Sequence, residues 1–209
     1  MMAFLSSPPE VRLIDATERP FETAVAAART CYSSKGIVLP EEVSRTRRSR
    51  EVRDRVAAST LAAGHLTTRQ HATFIFAIWN VSRAVVWSFL HSHPYYNSEQ
   101  VSQRYVPVQP EHVVVPDLKP EALELYRRTV REQMAAYQRL IELLLPTVER
   151  LFYEVFPARR RRPERWERTL PKRAYEVARY VLPIATYTYL YHTVSALTLL
   201  RYAAAGRIL

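Results

Sequence analysis

Residues 64–105 read GHLTTRQHATFIFAIWNVSRAVVWSFLHSHPYYNSEQVSQRY, and this stretch decides the fold. Gly64 ends a helix-forming segment, 51–63, because glycine accepts the left-handed backbone at a helix C-terminus. From 71 to 81 aromatic and apolar residues alternate with β-branched ones, the period of a strand. Ser82 then stands where its hydroxyl caps a helix, RAVVWSFLH, which Pro94 stops. A dense polar block follows, from His91-Ser92-His93-Pro94 through Asn97, Ser98, Glu99 and Ser102 to Arg104-Tyr105. A strand, a helix and a donor-rich block in that order look like a nucleotide site.

On the N-terminal side, VRLIDA at 11–16 predicts a short strand. Pro20 opens an Ala-rich helix, PFETAVAAARTCY, with Thr17 or Glu18 near its cap. Residues 33–50 are polar, hold Gly36 and Pro40, and read as a loop. On the C-terminal side, 106–115 is extended and proline-punctuated. Segment 121–156 carries Leu123, Tyr126, Val130, Met134, Tyr137, Ile141 and Leu144 at helical spacing, with Pro146 expected to kink or split it. The basic knot at 159–165, RRRRPER, reads as a surface turn, with a phosphate or RNA contact as the alternative. A short helix is expected at 175–181 and a long apolar one at 186–205, with Tyr187, Tyr189 and Tyr191 packed in the core.

The 209 residues suit one domain, 1–209, of class α+β with helices dominant. Of the 30 basic residues only Lys35, Lys119 and Lys172 are lysines, and the net charge is +10. Arginine forks suit phosphate and carboxylate, so an anionic partner is favoured, a nucleotide or a nucleic acid. The arginine bias fits genome composition or heat adaptation equally well. Cys31 is the only cysteine, which excludes internal disulfides and Cys-rich metal sites and fits a reducing cytoplasm. The N-terminus lacks a signal-peptide pattern, and Pro183 and His192 interrupt the longest apolar run, so no membrane span is expected. Three glycines (Gly36, Gly64, Gly206) allow neither a P-loop nor a GxGxxG turn. His65 and His71 lack further ligands for a metal.

Five landmarks in order, AAARTCYSS, GHxTxxxHATFxFxI, SRAV, NSEQVSQRYV and EVARYVLPIATYT, make the chain resemble the flavin-dependent thymidylate synthases over most of its length. The resemblance implies a helix-dominated domain with a small antiparallel sheet, assembled as a homotetramer. It further implies reductive methylation of dUMP to dTMP with FAD, methylenetetrahydrofolate and NADPH, at sites shared between subunits, with no attacking cysteine. Carried over residue by residue, it places Thr67, His91 and Asn97 on the flavin, and Glu99, Ser102, Arg104 and Arg179 on the nucleotide. Arg104 and Arg179 match arginines that hold the dUMP phosphate. Glu99 is expected either to touch substrate or to neutralise Arg104, and Arg179 either to bind phosphate or to pair with Glu176.

The resemblance fails where the family does its chemistry. Its Arg-His-Arg signature is Leu90-His91-Ser92 here, and nine residues rather than seven separate Ser92 from Ser102. His91 and His93, beside Pro94, read as structural or dipole-paired histidines as readily as acid–base groups. An upstream glutamine of the family becomes Trp87, and the Asn-Ala-Arg stretch becomes Ser195-Ala196-Leu197. The family's pyrimidine-ionising arginine falls near Gly206, leaving Arg207, one place off register, as the catalytic candidate. The chain stops at Leu209, as a shortened relative or one part of a longer protein. Two missing charged hydrogen bonds, at about 1.5–3 kcal/mol each, would weaken flavin binding by about 10²–10⁴. The expectation is a family member with weak or no independent catalysis. The alternatives are a non-catalytic partner of an intact paralogue, or a basic nucleic-acid binder.

Overall fold

In a computed structural model the chain is described over residues 4–92 and 96–205. Strand β1 is Glu10–Ala16, followed by helix α1, Pro20–Cys31. Pro20 sits in the first turn of α1, where its missing N–H costs nothing. The N-cap is Arg19 without a side-chain bond, so neither Thr17 nor Glu18 caps it. Thr17 is instead tied to Thr73: their backbones bond at 2.9 Å and the Thr73 N–H donates to the Thr17 hydroxyl at 2.9 Å.

The expected loop at 33–50 contains a short helix, α2, Pro40–Ser44, and the start of α3, Arg47–Ala62. Thr46 starts α3 early by a reciprocal cap, its hydroxyl accepting from the Ser49 N–H while the Ser49 hydroxyl accepts from the Thr46 N–H. Gly64 has φ +71 just past the end of α3. A 3-10 turn, Leu66–His71, precedes β2, Thr73–Ser82, so His71 is not in the strand. Asn80 has φ 59 inside β2, a conformation asparagine tolerates better than most residues. The Ser82 hydroxyl accepts from the Val85 N–H and caps α4, Arg83–Ser92. Pro94 and His93 lie outside the described residues.

Strand β3, Tyr96–Gln100, lies within the polar block. Helix α5, Pro120–Val155, runs through Pro146 without splitting. Pro146 is exposed, which leaves water free to bond the backbone carbonyl its ring deprives of a donor. Two 3-10 turns, Pro157–Arg161 and Pro163–Arg165, hold the basic knot. Helix α6, Leu170–Ala178, passes into another turn, Arg179–Val181.

The expected long helix at 186–205 is instead strand β4, Tyr187–Ser195, followed by helix α7, Ala196–Ala205. Buried positions alternate along β4 (Thr188, Leu190, His192, Val194), which is the period of a strand, not of a helix. Tyr189 and Tyr191 are consequently 57% and 56% exposed rather than core residues. The four strands form a small antiparallel sheet in the order β1-β2-β4-β3, and the class is helix-rich α+β, as the sequence implies. Among the described residues, no helix is long and apolar enough to cross a membrane.

The chain forms two compact units. The first comprises Met1–Glu10, Trp79–Trp87 and Gln100–Tyr189, and the second Val11–Ile78, Ser88–Glu99 and Leu190–Leu209. The core of the first gathers Val108, Val113, Val130, Met134, Tyr137 and Ala178. In the second, Val25, Ala26 and Val43 pack together.

Candidate functional site

Arginines without enough acceptors mark the first unit. Arg83 opens α4, where its Nη1 donates to Gln100 Oε1 at 2.8 Å and its Nη2 to the Val101 carbonyl. Its Nε is buried without a hydrogen-bond partner among the described residues. Burial first, and then the positive charge of Arg179, push the Arg83 pKa below the ordinary guanidinium value. A guanidinium stays charged in proteins, so this shift records a destabilised cation that an anion would relieve.

Arg104 extends the pattern. Its Nη2 pairs with Glu176 at 2.6 Å, while its Nε is also buried without a partner among the described residues. Glu176 serves Arg173 as well, at 3.1 Å. Arg179 uses its Nε on the Glu176 backbone carbonyl at 3.1 Å, not on the carboxylate. The expected i,i+3 ion pair of Arg179 is thus replaced by a backbone bond, and the carboxylate that pairs with Arg104 is Glu176, not Glu99. Lys172 and Arg104 both approach the Tyr105 ring, at 5.6 and 5.7 Å from its centroid. One carboxylate therefore sits among an excess of cations.

A pocket of about 150 Å³ opens beside Arg83, lined also by Ser102, Gln103, His112, Tyr187 and Tyr189. That volume is below the few hundred Å³ usual for a small-molecule site. Three segments far apart in sequence build the site. The Ser82 cap fixes the first turn of α4 and so Arg83. The Ser102 hydroxyl accepts from the Arg104 N–H at 3.2 Å, turning the chain after β3. The end of α6 delivers Glu176 and Arg179.

Of the residues expected from sequence, Ser102, Arg104 and Arg179 belong to this first unit and to this cluster. Thr67, His91, Asn97 and Glu99 belong to the second unit. Thr67 and Asn97 are exposed, on the 3-10 turn after α3 and on β3. His65, the metal candidate paired with His71, instead meets Tyr32, whose hydroxyl lies 3.5 Å from its Nδ1. Arg207 lies outside the described residues. In the basic knot, Arg159 stacks over Phe156 and Trp166, 3.9 and 4.4 Å from their centroids, while Arg160, Arg161, Arg162 and Arg165 are exposed. Arg83 carries no site role in the sequence reading. Its signal was available: a lone cation at the mouth of an apolar helix, directly after a strand.

The second unit buries His192 in a cage of rings and hydroxyls. Its Nδ1 lies 2.5 Å from Ser98 Oγ and its Nε2 3.3 Å from the Tyr202 hydroxyl. Phe89 and Tyr96 flank the ring, 4.9 and 5.5 Å away between centroids. Burial pushes its pKa down to about 4, so it is neutral at pH 7. With both ring nitrogens engaged by hydroxyls, it is a satisfied core histidine.

Comparison with known proteins adds the lineage. The profile of the thymidylate synthase complementing protein family matches residues 12–205. A flavin-dependent thymidylate synthase of Clostridium tetani is 27% identical over 194 residues, which are 92% of this chain and 72% of the relative. That of Mycobacteroides abscessus is 32% identical over 165 residues, 78% of this chain and 57% of the relative. Among solved structures, a UMP/dUMP methylase, PolB, from Streptomyces cacaoi bound with 5-Br UMP superposes with a TM-score of 0.58 at 19% identity. The superposition covers 94% of this chain and 76% of that one, and it shows a shared fold.

Proposed function

The chain belongs to the thymidylate synthase complementing protein family, and we propose that it binds a uridine 5′-monophosphate of the dUMP type through the arginine cluster of its first unit. The observation that carries this reading is the pair of buried Nε atoms, on Arg83 and Arg104, that lack hydrogen-bond partners among the described residues. A phosphate dianion beside Arg83 would accept from its fork and offset the repulsion between Arg83 and Arg179. Ser102 adds a hydroxyl at the pocket, and Tyr189, exposed on β4, offers a ring face beside it. The phosphate sits at this small pocket, and another subunit, of this chain or of an intact paralogue, completes the site around the nucleoside.

Catalysis is a separate matter. The relatives are named flavin-dependent, and by resemblance Thr67, His91 and Asn97 would face FAD. They offer a hydroxyl, an imidazole and an amide, with no guanidinium among them. A pyrophosphate carrying two charges calls for arginine forks or converging backbone N–H groups. This donor set does not fit the flavin on its own, and no chemical step is derived through it. The chain is a nucleotide-binding member of the family with weak or no turnover when alone.

Two titrations test this reading. By calorimetry, dUMP is expected to bind at least about tenfold more tightly than deoxyuridine, the worth of one charged hydrogen bond. Equal affinity would remove the phosphate from the site. Purified protein mixed with FAD is expected to retain no stoichiometric flavin absorbance after desalting. A retained spectrum that dUMP perturbs would contradict the diverged half of the reading.

A further inference from the structure

A second cavity shares no lining residue with the nucleotide site. It measures about 470 Å³ and lies wholly within the second unit, walled by α1, α3, β2, α7 and the 3-10 turn Leu66–His71. Alanines at 24, 57, 72, 196 and 203 leave the space that larger side chains would fill. Its walls are almost entirely apolar. Phe21 and Leu200, which also line it, are 46% and 50% exposed. The volume is that of an ordinary small-molecule site, a few hundred Å³.

One charged side chain interrupts the apolar lining. Arg69 donates through Nη2 to the Ala57 carbonyl at 3.1 Å, but its Nη1 is buried without a partner among the described residues. The two hydroxyls at the cavity are already committed: Thr60 donates to the Val56 carbonyl at 2.9 Å and Thr68 to the His65 carbonyl at 3.5 Å. The unmatched polar group is therefore a cation at the wall of an oily space. Burying such a donor unpaired is unfavourable, and only an acceptor, best an anionic one, restores it.

We propose that this cavity binds a small amphipathic monoanion, a carboxylate on a medium-length aliphatic body, with the carboxylate on Arg69 and the chain along Val25, Phe74, Leu199 and Leu200. The walls supply affinity without direction, and Arg69 sets the polarity of the ligand. The inference is independent of the nucleotide reading, since it uses none of the same residues.

The test is titration of the full chain with sodium octanoate, octanol and octylamine, followed by the methyl NMR signals of Val25, Leu199 and Leu200. Octanoate is expected to shift these methyls and to bind at least about tenfold more tightly than octanol, with octylamine weakest. Arg69→Gln is expected to lower octanoate affinity about tenfold and leave octanol unchanged. Ala203→Leu, which keeps Arg69 and fills the space, is expected to weaken both, and it carries the test should Arg69→Gln not fold. Equal binding of octanoate and octanol, or a preference for octylamine, would overturn the proposal. So would methyls that octanoate does not move, as when a further stretch of chain or a second copy already occupies the cavity.

Discussion

Arg83 has five N–H donors on a fixed fork, and the protein engages its two terminal nitrogens while leaving Nε buried and unmatched. Such an arrangement is unfavourable for folding alone, which makes it informative about binding. His192 is the opposite case, a buried polar group whose partners are complete. Its folded pKa of about 4 lies below the ordinary 6.5, so the unfolded chain takes up a proton first as pH falls. The contribution of the neutral ring to stability is fully present above pH 6.5 and is lost as pH drops towards 4. Over that window the stability difference between wild type and His192→Phe, measured by urea unfolding, is expected to shrink by about 3 kcal/mol. A difference that stays constant from pH 7 to pH 4 would show that the ring protonates without penalty.

At the scale of elements, period decides which parts are legible. Residues 73–82 alternate clearly, and their strand and the capped helix after it follow from sequence. Residues 187–195 alternate as well, yet their apolar neighbours in α7 extend the run to helical length and hide the strand. Strand β3 is polar throughout its Tyr96–Gln100 length, so no hydrophobic pattern announces it. Helix α3 begins four residues earlier than its apolar pattern because Thr46 and Ser49 cap it reciprocally. Thr46→Ala is expected to cost about 1 kcal/mol by thermal or chemical unfolding. An unchanged midpoint would mean the first turn of α3 is not held by its cap.

Across the whole molecule, charge and chain order explain how much of the site could be read. Ser102 and Arg104 lie in the polar block and Arg179 begins the run into Pro183, so motif order names them. The shared dependence of Arg104 and Arg179 on Glu176, and the addition of Arg83, exist only after α4, α6 and the turn beyond β3 are placed in one unit. The net charge of +10 would draw in any polyanion, but a partly buried cluster is screened by salt less than an exposed knot is. Raising salt from about 50 to 200 mM is expected to weaken dUMP binding by less than about tenfold, whereas contact with many phosphates would lose on the order of 10³ or more. A steep salt slope together with indifference to dUMP would favour the exposed arginines at 160–165 and a nucleic-acid partner.

The most direct measurement is calorimetric titration of dUMP into wild type and into Arg83→Met, a change that keeps much of the apolar stem and removes the fork. The expected result is saturable binding in wild type and a loss of about tenfold or more in the variant, with unfolding midpoints that show both proteins folded. Equal dUMP affinity in the two proteins would contradict the account, because the unmatched guanidinium of Arg83 would then have no nucleotide to meet.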